Sequence, residues 1–156
     1  MTSDKEYIIR ELTHNYEDYV AYTNLIRQLT SQYKPYTYEI YKQMLNELGT
    51  QVQFIYMLES LQSDKKIIIG TIKIIIEKKL YNENSYVGHI EDVIIDQSYR
   101  KCGLGQQLIN FAVNLCKNRQ CYKIKLYCSD KISPFYQKNG FVIEGVDMCQ
   151  RLNIFQ

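Results

Sequence analysis

Val93-Ile94-Ile95-Asp96-Gln97-Ser98-Tyr99-Arg100-Lys101-Cys102-Gly103-Leu104-Gly105-Gln106 is the stretch whose reading decides the fold. Upstream, Gly88 to Asp96 carries apolar residues on both faces, as a central strand does. Downstream, Gly105 to Cys116 repeats apolar residues at Leu108, Ile109, Ala112, Val113 and Cys116, the buried face of a helix. Between them lies a glycine-bearing turn. A strand, tight turn and helix in this order point several main-chain N–H groups at one place, beside the positive end of the helix dipole. Such a turn suits a diphosphate, and Arg100 and Lys101 add positive charge at its rim. The spacing has no Gly-Lys-Ser/Thr ending and is not G-x-G-x-x-G. Taken alone, Arg100 to Gly105 fits an ordinary βα turn equally well.

Working outward, Tyr7-Ile8-Ile9 reads as a short first strand, and His14 to Thr30 has mostly helical apolar spacing. Tyr36 to Leu48 is a second helix, entered after Pro35 and closed by Gly49. Val52 to Leu58 alternates as a strand, and Ser63-Asp64-Lys65-Lys66 reads as a hairpin loop. Ile67 to Lys79 is long and β-branched, with Gly70 at a candidate bulge. Cys121 to Cys128 alternates, Ile132 to Lys138 is a short helix, and Phe141 to Val146 and Met148 to Ile154 read as closing strands. The expected class is α/β (α+β): a mixed sheet with helices on both faces.

The chain has 156 residues, 46% of them apolar, which fits one domain spanning 1–156. Its net charge of +2, with acids and bases interspersed, argues against a nucleic-acid partner but leaves room for a basic pocket around a small anion. No apolar run approaches the roughly 18 to 20 residues of a membrane span, and Met1 to Arg10 lacks a signal-peptide core, so a soluble, cytoplasmic protein without a membrane partner is expected. Five cysteines form no C-x-x-C pair and have no histidine at zinc spacing, so they read as reduced thiols and no metal is expected.

Arg-x-x-Gly-x-Gly after a central strand resembles the coenzyme A diphosphate loop of the GNAT acetyltransferase superfamily. Pro134-Phe135-Tyr136-Gln137-Lys138-Asn139-Gly140-Phe141 is similar to that superfamily's F-Y-x-x-x-G-F segment. Within the superfamily, Gly88-His89-Ile90-Glu91-Asp92-Val93, Cys121-Tyr122-Lys123-Ile124, Met148-Cys149-Gln150-Arg151, Gln28-Leu29-Thr30 and Ile74-Ile75-Ile76-Glu77-Lys78-Lys79 resemble the branch that acetylates glucosamine 6-phosphate. The resemblance runs from about residue 7 to residue 151. It implies a GNAT fold with a mixed, mostly antiparallel twisted sheet, and acetyl-CoA as cosubstrate. It further implies an amino-sugar phosphate as substrate, a place on the route to UDP-N-acetylglucosamine, and a homodimer with shared active sites.

The same resemblance distributes the roles. Main-chain N–H groups of Lys101, Cys102, Gly103, Leu104, Gly105 and Gln106 would anchor the cofactor. Val93, Ile94 and Ile95 would splay from the neighbouring strand and pair with the pantetheine arm. An N–H near Val93 or Ile94 would polarise the thioester carbonyl, a donor worth about 3 kcal/mol in other enzymes. Tyr136, a phenol of ordinary pKa near 10, would protonate the leaving thiolate. Glu91 and Asp92 would contact the sugar; being adjacent on a strand they are expected on opposite faces, so not as one paired-carboxylate site. Thr30, Lys79, Leu80, Tyr81, Asn82, Tyr122, Lys123 and Arg151 would complete the sugar-phosphate site, with Arg151 suited to a bidentate grip. His89 reads as a packed or capping histidine rather than a base.

Two positions depart from that branch. Where it has Leu-Asp/Glu-Cys, with the carboxylate orienting or deprotonating the amine, this chain has Leu126-Tyr127-Cys128; Tyr127 can accept a hydrogen bond but is a poor base, and Asp130 offers a substitute through a water. Where the branch favours Asn before F-Y, this chain has Ile132. The residues therefore leave three readings open: the amino-sugar enzyme, a GNAT enzyme for another amine or a protein N-terminus, and a non-catalytic acetyl-CoA-binding module. Lys123 and Arg151 favour an anionic substrate.

Overall fold

The alternating and β-branched runs form one five-stranded sheet whose spatial order is the chain order. In the computed structural model, which describes residues 6–49, 52–61, 66–80 and 85–152, the strands are β1 (Tyr7–Glu11), β2 (Gln53–Ser60), β3 (Ile67–Lys79), β4 (Ser85–Ile95) and β5 (Cys121–Leu126). β1 to β4 pair antiparallel and β4 pairs parallel with β5, so the sheet is mixed. Helices α1 (Tyr16–Leu29) and α2 (Tyr38–Gly49) stand between β1 and β2, α3 (Leu104–Asn118) crosses from β4 to β5, and α4 (Ser133–Lys138) follows β5. The chain divides into two compact units, Met1–Leu126 and Tyr127–Gln156; the sheet and α1 to α3 belong to the first and α4 to the second. No helix of the described residues is long and apolar enough to cross a membrane.

Local chemistry sets the helix limits. Asn15 caps α1, its side chain accepting from the N–H of Asp18 at 2.7 Å, with Glu17 and Asp18 at the favourable end of the dipole. Along α3, Leu104, Leu108, Ile109, Ala112 and Cys116 are buried, the helical repeat expected of one covered face. The two sides of the sheet are covered differently. On one, Leu12, Leu25, Tyr41, Met57 and Ile94 form a core with Tyr19, Tyr22, Tyr36 and Tyr38 packed against it, so the tyrosine content is used as packing between α1, α2 and the sheet. On the other, Tyr56 meets Phe111 of α3 edge-on, with ring centroids 4.6 Å apart. Gly88 belongs to this second side: a Cβ there would lie 2.5 Å from Cys116 Sγ, so glycine lets α3 close onto β4.

Neither of the last two expected strands is present among the described residues. Residues 141–152 pair with no strand among the described residues. Val142, Ile143, Val146 and Met148 are 73 to 90% exposed, and Gly145 turns the chain at φ +85°. Alternation alone predicted them, but a strand also needs a neighbour's N–H and C=O groups, which alternation does not supply. The expected loop at 63–65 and the end of the last expected strand, 153–154, lie outside the described residues.

Candidate active site

The parallel ladder between β4 and β5 ends at Ile90 opposite Leu126. Beyond it, Glu91 to Ile95 pairs only with β3, and the β5-facing edge of Val93, Ile94 and Ile95 carries no ladder among the described residues of this unit. The β3 pairing shifts in the same place: Lys73 faces Glu91 but Thr71 faces Ile94, and Asp92 adopts φ +49°. This bulge breaks the alternation from which opposite faces for Glu91 and Asp92 were expected. Asp92 lines a cavity of about 270 Å³ together with Tyr22, Tyr36, Tyr41 and Lys73, and Lys73 is the cross-strand partner of Glu91. Both carboxylates therefore belong to the side of the sheet that carries α1 and α2. Burial, and then the charge of Asp92, pushes the Tyr22 phenol above the usual tyrosine range, so it stays neutral beside that carboxylate.

After β4 the chain makes a 3-10 turn over Gln97–Tyr99 and reaches α3 through two left-handed residues, Lys101 at φ +65° and Gly103 at φ +76°. Gly103 is the N-cap of α3 and supplies no side-chain cap, which leaves the first N–H groups of the helix to a ligand. A Cβ on Gly103 would meet no atom within 4 Å, so the space over this backbone is open. These features fit an anchored diphosphate. Gly103→Val forces a β-branched residue into a left-handed conformation, costing about 1–2 kcal/mol, and fills that space. The variant is expected to raise KM for acetyl-CoA about tenfold or more while leaving KM for the acceptor amine near wild type in steady-state kinetics.

Polar residues gather near the far ends of β3 and β4. Cross-strand pairing places Glu77 opposite Val87 and Ile75 opposite His89, on the side away from Gly88 and α3. Glu77 accepts from Lys79 and lies 2.9 Å from His89 Nε2; these two hydrogen bonds, that of Lys79 first, hold its carboxyl below the usual range. Lys123 of β5 lies opposite Val87 in the next row, its Nζ 5.7 Å from the Tyr122 ring centroid. His89 is thus a hydrogen-bond partner of a carboxylate. Leu80 is almost fully exposed, and Thr30 ends α1 with its hydroxyl accepting from the N–H of Gln32 at 3.1 Å. Tyr81 and Asn82 lie outside the described residues.

In the second unit, Tyr136 is buried at 8% exposure between Phe135 and Phe141, with centroids at 5.0 and 6.0 Å. Burial, and secondarily Cys128, raises its phenol above the ordinary tyrosine value. Tyr127 is 71% exposed, Arg151 is exposed, and the carbonyl of Asp130 accepts from the Ser133 hydroxyl.

Gln28 has a role that its sequence context does not reveal. Its side-chain amide donates to Asp96 Oδ2 at 2.9 Å and accepts from the N–H of Gln97 at 3.0 Å, joining α1 to the turn before the glycine loop. The Glu77 bridge was missed as well. Both contacts join residues from different elements, and periodicity within one element carries no signal for them.

Comparison with known proteins places this geometry in context. The model of the acetyltransferase (GNAT) family matches residues 17–141. The chain is 43% identical over 74 residues to a protein of Trypanosoma brucei brucei named glucosamine 6-phosphate N-acetyltransferase, a match covering 47% of this chain and 50% of that one. It is 30% identical over 130 residues to glucosamine 6-phosphate N-acetyltransferase 1 of Oryza sativa subsp. japonica, covering 82% and 77% of the two chains. The match thus spans half the length of the trypanosome relative. The crystal structure of glucosamine-6-phosphate N-acetyltransferase from Arabidopsis thaliana superposes with a TM-score of 0.84 at 29% identity, over 95% of this chain and 99% of that one.

Proposed function

The chain belongs to the acetyltransferase (GNAT) family, and from that premise we propose that it moves an acetyl group from acetyl-CoA to the amine of glucosamine 6-phosphate, releasing CoA and N-acetylglucosamine 6-phosphate. One observation carries the reading: the edge of Val93 to Ile95, which bears no β5 ladder among the described residues of its unit, runs into a left-handed turn that opens uncapped N–H groups at the start of α3. The names of the relatives from trypanosome, rice and Arabidopsis support the choice of amine.

Bound acetyl-CoA supplies the activated acetyl group. Lys101 to Gln106 hold the diphosphate through main-chain N–H groups. The open edge at Val93 to Ile95 aligns the pantetheine arm and offers an N–H to the carbonyl. Glu91 and Asp92 orient the amino sugar, with Tyr127 as an acceptor where the related enzymes have a carboxylate. Thr30, the Lys79 to Asn82 segment, Tyr122, Lys123 and Arg151 contact the sugar phosphate. As the amine nitrogen bonds the carbonyl carbon and the C–S bond breaks, Tyr136 gives a proton to the departing sulfur, and the proton that the nitrogen loses passes to water, from which the phenol is recharged. Residues 1–156 act as one acetyltransferase domain in this reading, supported by a family match that extends into both units. The protein works as a homodimer, supported by the exposed apolar side chains of 142–152; light scattering should give twice the 18.6 kDa chain mass. The reaction is cytoplasmic, in keeping with five cysteines that are all free thiols.

Release of free thiol from acetyl-CoA, followed with a panel of amines, tests the reaction. Turnover confined to glucosamine 6-phosphate supports it; turnover confined to other amines, or acetyl-CoA binding without turnover, overturns it.

A further inference from the structure

The loop that presents Lys101 to Gly103 is held at its two ends. One end is α3, fastened by its buried apolar face. The other is the turn Asp96 to Arg100. That turn bonds to its own flanks through Ser98 N–H to Asp96 Oδ1 at 2.9 Å, Tyr99 N–H to the Asp96 carbonyl at 2.9 Å, and Arg100 Nε to the Ile95 carbonyl at 3.0 Å. Two contacts reach it from elsewhere: the Asp96 N–H donates to the Ile69 carbonyl of β3 at 2.8 Å, and Gln28 of α1 clasps Asp96 and Gln97. The Gln28 amide is fully suited to that place. Its nitrogen faces an ionised carboxylate, and also the Asn24 carbonyl at 3.5 Å, while its oxygen takes a main-chain N–H that the turn leaves over. The carboxyl of Asp96 lies below its usual range, first because of the bond from Gln28.

We propose that Gln28 is a positioning residue for the cofactor loop, setting through Asp96 and Gln97 where the N–H groups of Lys101 to Gln106 stand. In this role it acts through the loop rather than on either substrate. The inference rests on the proposed acetyl-CoA site, and it asks more of the chain than that site does: a side chain of α1, 68 positions from Asp96 in the sequence, decides cofactor affinity.

The clasp can be broken and rebuilt with its polarity reversed. Gln28→Glu sets two carboxylates against each other, and Asp96→Asn removes the charged acceptor. Each single variant is expected to raise the acetyl-CoA dissociation constant and KM about tenfold, the scale of losing a hydrogen bond to a charged group. In the double variant Gln28→Glu/Asp96→Asn, the new amide at 96 donates to the new carboxylate at 28. The second carboxylate oxygen still accepts from Gln97, and the oxygen at 96 still accepts from Ser98. The double variant should return to within about threefold of wild type. Calorimetric titration with acetyl-CoA, with thermal unfolding as the check on folding, reads all four proteins. Single variants that bind like wild type, or a double variant no better than the worse single one, overturn the clasp. A single variant that does not fold leaves the decision to the double variant against wild type, where a tenfold loss counts against it. Absence of binding by the wild-type protein itself overturns instead the cofactor site on which the proposal stands.

Discussion

Tyr136→Phe is expected to lower kcat about 100-fold, the lower end of what a positioned proton donor contributes, while changing KM for acetyl-CoA less than threefold. The substitution removes one oxygen and keeps the ring, so the contacts with Phe135 and Phe141 persist and the thermal midpoint should stay within about 2 °C of wild type. The phenol has only one proton to give, and its environment guards it. Burial raises its pKa from a value already near 10, so the acid form is complete at neutral pH and remains so into alkaline solution. The wild-type enzyme should therefore hold its kcat plateau through pH 9, with no alkaline limb from this group. Phenylalanine turnover equal to wild type would remove Tyr136 from the mechanism, and an alkaline fall below pH 9 would assign the proton to another group.

Arg10→Ala is expected to destabilise the fold strongly, by about 3–5 kcal/mol at pH 7. Arg10 lies at the meeting of β1, α1 and β2. Its Nη atoms bond both oxygens of Asp18 at 2.7 and 2.8 Å, and its Nε bonds Glu59 at 2.6 Å. Asp18 and Glu59 are each only 2% exposed. Asp18 also caps the strand-to-helix connection through the N–H and hydroxyl of Thr13. The only other cation near Glu59 among the described residues is Lys66, 3.9 Å away and mostly exposed. Removing Arg10 strands two buried carboxylates. The pH dependence follows from the sign of the shift. Burial opposes ionisation of Asp18, yet the bonds from Arg10 and Thr13 outweigh it and the folded pKa lies below the unfolded one. The stabilisation is therefore present above about pH 4 and is lost as acid protonates the folded carboxyl. In the variant only the bonds from Thr13 still oppose burial, so the Asp18 carboxyl takes up a proton more readily and the gap to wild type should narrow between pH 7 and pH 5. Chemical denaturation at the two pH values measures this; a gap below 1 kcal/mol at pH 7 would show the cluster to be solvated.

How much of this was legible in the chain differs from residue to residue. The glycine loop was, because Gly103 and the apolar repeat from Leu104 to Cys116 are local features, each set by neighbours within one or two helical turns. The alternation of 141–152 was equally visible and led to two strands that the described residues do not contain, since alternation describes a face and says nothing of whether a partner will pair with it. The pair Glu91 and Asp92 shows the converse. The family resemblance gave them a part in binding the sugar, but their placement followed from a bulge, and a bulge depends on how β4 registers against β3.

From the sequence alone came the order and type of most elements, the buried face of α3, and the glycine-bearing turn that leads into it. These depend on backbone propensity and periodicity, which act over a few residues. The tertiary structure alone decided that β4 parts from β5 after Ile90, that Asp92 shares a cavity with the cross-strand partner of Glu91, and that Gln28 and Arg10 bond groups 68 and 49 positions away. Those contacts are hydrogen bonds and ion pairs between separate elements, and their partners become neighbours only when the sheet has assembled and the helices have packed upon it.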